Sequence, residues 1–192
     1  MSGQFDVVAM IGSLRRESFT ARLVQGLIEV APPSMSIAPV PLGELPLYNP
    51  DLEAQLPKPW SEFRVRVLRA HAVLFATPEY NRSVPAVLKN AIDVGSRPPG
   101  RSVWDGKPAA VVSNSPGAIG GFGANHHLRQ SLVFLNMPTM QQPEAYVGHV
   151  DRVIAAGGQF TEESTRAFLT SFVSAFERWI SRFAGQPAGQ IG

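Results

Sequence analysis

The chain has no cysteine among its 192 residues, which excludes disulfides, thiolate metal sites and a cysteine nucleophile. Lysine is scarce, with 3 Lys against 14 Arg. Charged residues make up 17% of the chain, below the share of about 25% in an average soluble protein. The apolar share of 44% is enough for a sizeable core and excludes a disordered chain. A net charge of +2, without a clustered basic and aromatic stripe, argues against a nucleic-acid partner. No apolar run approaches the ~20 residues that span a bilayer. The opening MSGQFDVV also lacks the charged-then-apolar pattern of a secretory signal. The expectation is one domain over residues 1–185, cytoplasmic and without a membrane partner, followed by a mobile Gly-rich tail at 186–192.

Proline, by contrast, is abundant: 17 residues, close to twice its usual share of about 5%. Stretches 1–31, 60–77, 86–97, 117–137 and 144–186 lack it, and regular structure belongs there. Val7 to Ile11, Ala72 to Thr77 and Ala109 to Val112 read as strands covered on both faces. Met35 to Val40 contains Pro39, and 138–147 contains Pro138 and Pro143, so both read as edge strands. Helical spacing links Leu23, Val24, Leu27 and Ile28, then Trp60, Phe63 and Val67, then Leu88, Ala91 and Ile92, then Ala124, Leu128 and Leu132. The last helix has Thr161 as its expected N-cap and a stripe of Phe168, Phe172, Phe176 and Phe183, read as core. Arg64, Arg66 and Arg69 are expected on a solvated face, and 43–59 as a proline-rich loop.

Strands alternating with helices predict an α/β fold, a parallel sheet with helices on both faces. Placing the two proline-bearing strands at the edges gives the order 2-1-3-4-5, the flavodoxin-like arrangement. Its topological switch lies between strands one and three, so a ligand is expected beyond Gly12 and Thr77.

The first of these loops, Gly12 to Thr20, offers strand-to-helix amides, the hydroxyls of Ser13, Ser18 and Thr20, and the guanidinium groups of Arg15 and Arg16. It lacks the lysine of a P-loop and the second glycine of a dinucleotide loop, and so suits a phosphate monoester. The same residues also describe an ordinary capped helix with solvated arginines. The second loop, Pro78-Glu79-Tyr80-Asn81, is either a donor edge for a flat heterocycle or a rigid turn with Tyr80 packed below. The third, Ser115 to Gly123, has glycines that admit a planar ligand or a second subunit, or form a flexible crossover. Adjacent His126 and His127 point apart on a helix and predict no metal site.

GSLRRESFT at 12–20, TPEYNRSVPAVLKNAID at 77–93, SPGAIGG at 115–121 and HHLRQSLVFL at 126–135 resemble the NAD(P)H-dependent FMN reductases of flavodoxin-like fold. The nearest branch is the bacterial quinone and chromate reductases. The resemblance implies bound FMN, with its phosphate on Ser13, Arg15, Ser18, Phe19 and Thr20. It places the isoalloxazine against Pro78, Glu79, Tyr80 and Asn81, with Ser115 and Gly117 near the ring. It also implies NAD(P)H as donor and a small-molecule acceptor: a quinone, chromate, an azo compound or free flavin. No catalytic side chain is expected, because hydride transfer belongs to the cofactor. A homodimer or homotetramer is implied, with Arg129 and Glu144 at positions that pair across subunits in some relatives. Thr20 stands where relatives usually have Asn, and Arg82, Val94 and His126 are further departures. The alternatives are a flavodoxin-like electron carrier, against which the pI of about 9.3 speaks, and a non-catalytic phosphate-ligand-binding module.

Overall fold

The computed structural model describes residues 4–184. In chain order the elements are β1 (Phe5–Ile11), α1 (Phe19–Glu29), β2 (Met35–Val40), α2 (Lys58–Arg69), β3 (Ala72–Pro78), α3 (Ala86–Gly95), β4 (Ala109–Asn114), α4 (Phe122–Phe134), β5 (Ala145–Val147), α5 (Val150–Val153) and α6 (Glu163–Ser181). The strands form one sheet in the order β2-β1-β3-β4-β5, and every pairing is parallel. This is the expected order, with both proline-bearing segments at the edges. The tail expected at 186–192 lies outside the described residues.

Alternation along the strands builds two cores. Val7 and Ala9 of β1 face one side, where Leu23 and Leu27 of α1 and Phe172 and Phe176 of α6 cover them. Val8 and Met10 face the other, against Trp60 and Phe63 of α2, Leu88 of α3 and Leu128 of α4. Because side chains point alternately up and down, a strand apolar at every position needs a cover on each face. Among the described residues no helix is long and apolar enough to cross a membrane.

Several local expectations are corrected. α6 takes Glu162, not Thr161, as its N-cap. The Thr161 hydroxyl instead donates to the Arg152 carbonyl at 2.7 Å, at the end of the unanticipated one-turn α5. Only Ala145–Val147 of the segment 138–147 joins the sheet, with Thr139 making a lone bridge to Ala109. Pro138 and Pro143 remove ladder donors from the rest. The loop 43–59 contains a short 3-10 turn over Pro50–Gln55, capped by Asn49. Phe168 is exposed rather than core, since it sits where α6 overhangs the sheet edge near β5.

Arg64 also departs from expectation, for it is buried rather than solvated. Its guanidinium donates to the carbonyls of Val94 (3.2 Å), Gly95 (3.1 Å), Arg97 and Arg101 (2.7 Å). A fixed cation thereby satisfies the C-terminal carbonyls of α3 and favours the negative end of that helix. Burial, and then the Arg101 charge, lower its pKa from the ordinary arginine value. Arg66 makes a two-pronged pair with Asp6 at 2.7 and 2.8 Å. Only Arg69 of the three is exposed. Arg64→Ala leaves these carbonyls without their donor and is expected to cost about 3 kcal/mol in urea unfolding, against less than about 0.5 kcal/mol for Arg69→Ala. Equal losses would refute the role given to Arg64.

Candidate functional site

Three loops meet beyond the carboxyl ends of β1, β3 and β4. The first is residues 12–18. A Cβ at Gly12 would stand 3.1 Å from the Pro78 ring, so the first loop touches the second. Ser18 is the N-cap of α1, its Oγ accepting from the Ala21 amide at 3.1 Å. The Ser13 Oγ accepts from the Arg15 amide at 3.4 Å. Both hydroxyl protons remain for a ligand. The amides of Leu14, Arg16 and Glu17 have no partner among the described residues, and helix geometry leaves those of Phe19 and Thr20 outward as well. The one acid of this loop, Glu17, is paired with Arg22. Arg15 and Arg16 are exposed and enter no ion pair among the described residues. Amides, hydroxyls and guanidinium groups at a helix start, without a free carboxylate, are the donor set for an anion.

Thr20 is placed differently from its neighbours. Its side chain points inward, with hydrogen bonds to Asn114 at the end of β4.

The second loop is a tight turn. Tyr80 and Ser83 exchange both backbone hydrogen bonds, at 3.1 and 3.0 Å. Asn81 and Arg82 between them have φ of 52° and 62°, the left-handed pair of a type I′ turn. Asparagine tolerates this conformation, whereas arginine adopts it at a cost. Tyr80 is exposed rather than packed below. The Glu79 amide has no partner among the described residues, but its carboxylate is occupied. One oxygen accepts from the Ala124 amide at 3.1 Å, and the other pairs with Arg82 at 2.9 Å. The Glu79 side chain is only 11% exposed. Glu79 therefore caps α4, whose own N-cap, Gly121, has φ of 79° and no side chain to offer. Gly123 makes the approach feasible, because a Cβ there would lie 2.8 Å from the Glu79 carboxylate.

The third loop is anchored rather than a free crossover. Ser115 donates its amide to Val147 and accepts from Val150, and the Ser115 Oγ accepts from the Gly117 amide at 3.0 Å. Residues 116–119 are exposed. Beside this loop the Phe122 ring lies tilted against His126 (4.2 Å between centroids), and the His126 Nε2 lies 3.0 Å from the Tyr146 hydroxyl. Burial, with the Glu144 carboxylate adding to it, pushes the Tyr146 phenol up to about 12. His127 bonds the Ser83 hydroxyl at 3.1 Å. Arg129 does not pair with Glu144 within the chain. It donates to Asn125 and to the Met140 carbonyl, leaving its buried Nη2 without a partner among the described residues.

Comparison with known proteins gives the family. The model of the NADPH-dependent FMN reductase family matches residues 5–151. The chain belongs to that family. It is an oxidoreductase that works with FMN and a nicotinamide donor. The enzyme is 55% identical to a quinone reductase of Pseudomonas putida over 94% of this chain and 97% of that one. It superposes on the flavoenzyme NAD(P)H:(acceptor) oxidoreductase FerB of Paracoccus denitrificans with a TM-score of 0.88 at 41% identity, covering 93% and 98% of the two chains. A mutant flavodoxin of Pseudomonas aeruginosa, at 15% identity and a TM-score of 0.57 over 90% and 99% of the chains, shares the fold.

The sequence contained little sign of the buried polar residues beneath the loops, Thr77, Ser113, Asn114 and Asn125. The one available signal was Ser113-Asn114 closing the otherwise apolar run of β4. Glu79→Ala removes the cap of α4 and is expected to cost about 1–2 kcal/mol in urea unfolding. Glu79→Gln, which still accepts from Ala124, should lose less than half of that. Equal losses would deny Glu79 its capping role.

Proposed function

We propose that the enzyme holds FMN across the ends of β1, β3 and β4 and reduces quinones with NAD(P)H. The observation supporting this reading is the convergence, at the switch between β1 and β3, of an anion-binding helix start with a turn presenting free amides. Arg15, the hydroxyls of Ser13 and Ser18, and the amides of Phe19 and Thr20 suit the phosphate. Pro78 forms a stiff wall. The amides of Glu79 and Asn81 are donors for the heterocycle edge, Tyr80 offers an aromatic surface, and Ser115 and Gly117 border the ring. When bound, FMN supplies the chemistry of hydride acceptance and electron delivery. The chain's share is to hold, orient and partly enclose the reactants, and no side chain is assigned a proton transfer.

Leu14, Tyr80, Ile119 and Phe122 are exposed around these loops. This apolar rim suits a flat quinone, the substrate class named for the Pseudomonas putida relative. Chromate, azo compounds and free flavins are the further acceptors to assay. A cytoplasmic location accords with a cysteine-free chain and a nicotinamide donor. Residues 1–185 are taken as one functional unit.

Purified enzyme is expected to show flavin absorbance that bleaches on addition of NADPH or NADH and recovers on addition of benzoquinone. Protein without flavin that takes up no added FMN would refute the reading.

Assembly into a homodimer or homotetramer belongs to the same proposal. The outer side of α4 exposes Phe122, Val133 and Phe134, the last at 90%, an apolar surface of the kind that subunit contacts cover. Light scattering should give a multiple of 20.8 kDa. A mass equal to one chain at micromolar concentration would exclude the oligomer.

A further inference from the structure

Asn114, the last residue of β4, is 2% exposed, and Thr20, in the first turn of α1, is 1% exposed. The Asn114 Nδ2 donates to the Thr20 Oγ1 at 3.0 Å and to the Thr77 carbonyl at 3.5 Å. The Asn114 Oδ1 lies 3.3 Å from the same Thr20 hydroxyl. A hydroxyl both donates and accepts, so the Thr20 pairing holds for either orientation of the amide. Thr77 immediately precedes Pro78. One buried amide thus references both loops to the interior strand β4: the first through α1, the second through the end of β3.

We propose that Asn114 and Thr20 are positioning residues that set the anion-binding amides of residues 14–20 for the phosphate of FMN. This rests on the reading given under Proposed function and adds residues that touch no ligand. Thr20 then acts through its backbone amide, while its hydroxyl is spent on Asn114 instead of reaching the anion. The α1 helix is otherwise fixed to the sheet by apolar contacts of Leu23, Val24 and Leu27, which are non-directional and permit small rotations or slides. The hydrogen bonds to Asn114 are directional. Lying in the first turn beside the loop, they fix where the amides point, and loops fixed in advance lose less freedom on binding.

The test compares FMN with riboflavin, which has the same ring system and no phosphate, titrated into apoprotein by flavin fluorescence quenching. Thr20→Val keeps the side-chain shape and removes the hydroxyl, Thr20→Ser restores it, and Asn114→Leu removes the amide. Thr20→Val and Asn114→Leu are expected to weaken FMN about tenfold while changing riboflavin less than about twofold. Thr20→Ser should stay near the wild-type ratio, and the double variant should be no worse than either single one. If Asn114→Leu does not fold, the Thr20→Val and Thr20→Ser pair decides alone. Parallel losses for both flavins, or unchanged FMN affinity in Thr20→Val, overturn the proposal and leave the FMN reading intact. Wild-type apoprotein that binds neither flavin overturns both.

Discussion

Burial of β1 and β3 on both faces is the constraint that the remaining elements satisfy. Val7 to Met10 and Ala72 to Thr77 are at most 1% exposed, and such strands need a helical layer above and below. α1 and α6 supply one layer and α2, α3 and α4 the other. Chain connections between parallel strands turn with one hand, so β1 must send its crossover to one face and β3 to the other. Where the two directions part, the loops splay and a crevice opens. The proposed ligand site is thus a by-product of covering the sheet.

The electrostatics of that crevice depend on where the acidic groups go. Glu17 lies in the first loop and Glu79 in the second, and either could have repelled an anion. Both are engaged elsewhere: Glu17 with Arg22, Glu79 with Arg82 and the start of α4. The amides and the Arg15 and Arg16 guanidinium groups remain facing outward. Removing a competing negative charge matters as much here as supplying a positive one, because at a helix start the partial charges are small and a nearby carboxylate would cancel them. Arg82, although cationic, is tied to Glu79 and adds less free positive charge than its exposure suggests.

Strand order and loop positions were readable from the spacing of prolines and apolar runs. Both are local signals: a proline reports on its own strand, and an apolar run reports on its own burial. The residues that escaped such reading act across long separations. Thr20 and Asn114 are 94 positions apart, and Arg64 reaches carbonyls more than 30 positions away. Periodicity places Arg64 on α2 but says nothing about a row of helix-end carbonyls opposite it. Thr161 is no cap because α6 takes Glu162, one residue later, as its N-cap, and the Thr161 hydroxyl is directed to the Arg152 carbonyl. In the site, the loops and their amides were legible, while the inward turn of Thr20 and the capping by Glu79 were not.

The two edges of the sheet limit how copies of this protein can meet. Pro39 lies within β2, opposite Ala9 in the register, and has no amide hydrogen to give a neighbour. β5 is only three residues long, and the segment leading into it is interrupted by Pro143. Neither border offers a continuous row of donors and acceptors on which a foreign strand could template itself. Growth of the sheet from one molecule into the next is closed off at both ends, so any higher-order assembly has to be built through helix and loop surfaces and can end at a finite size.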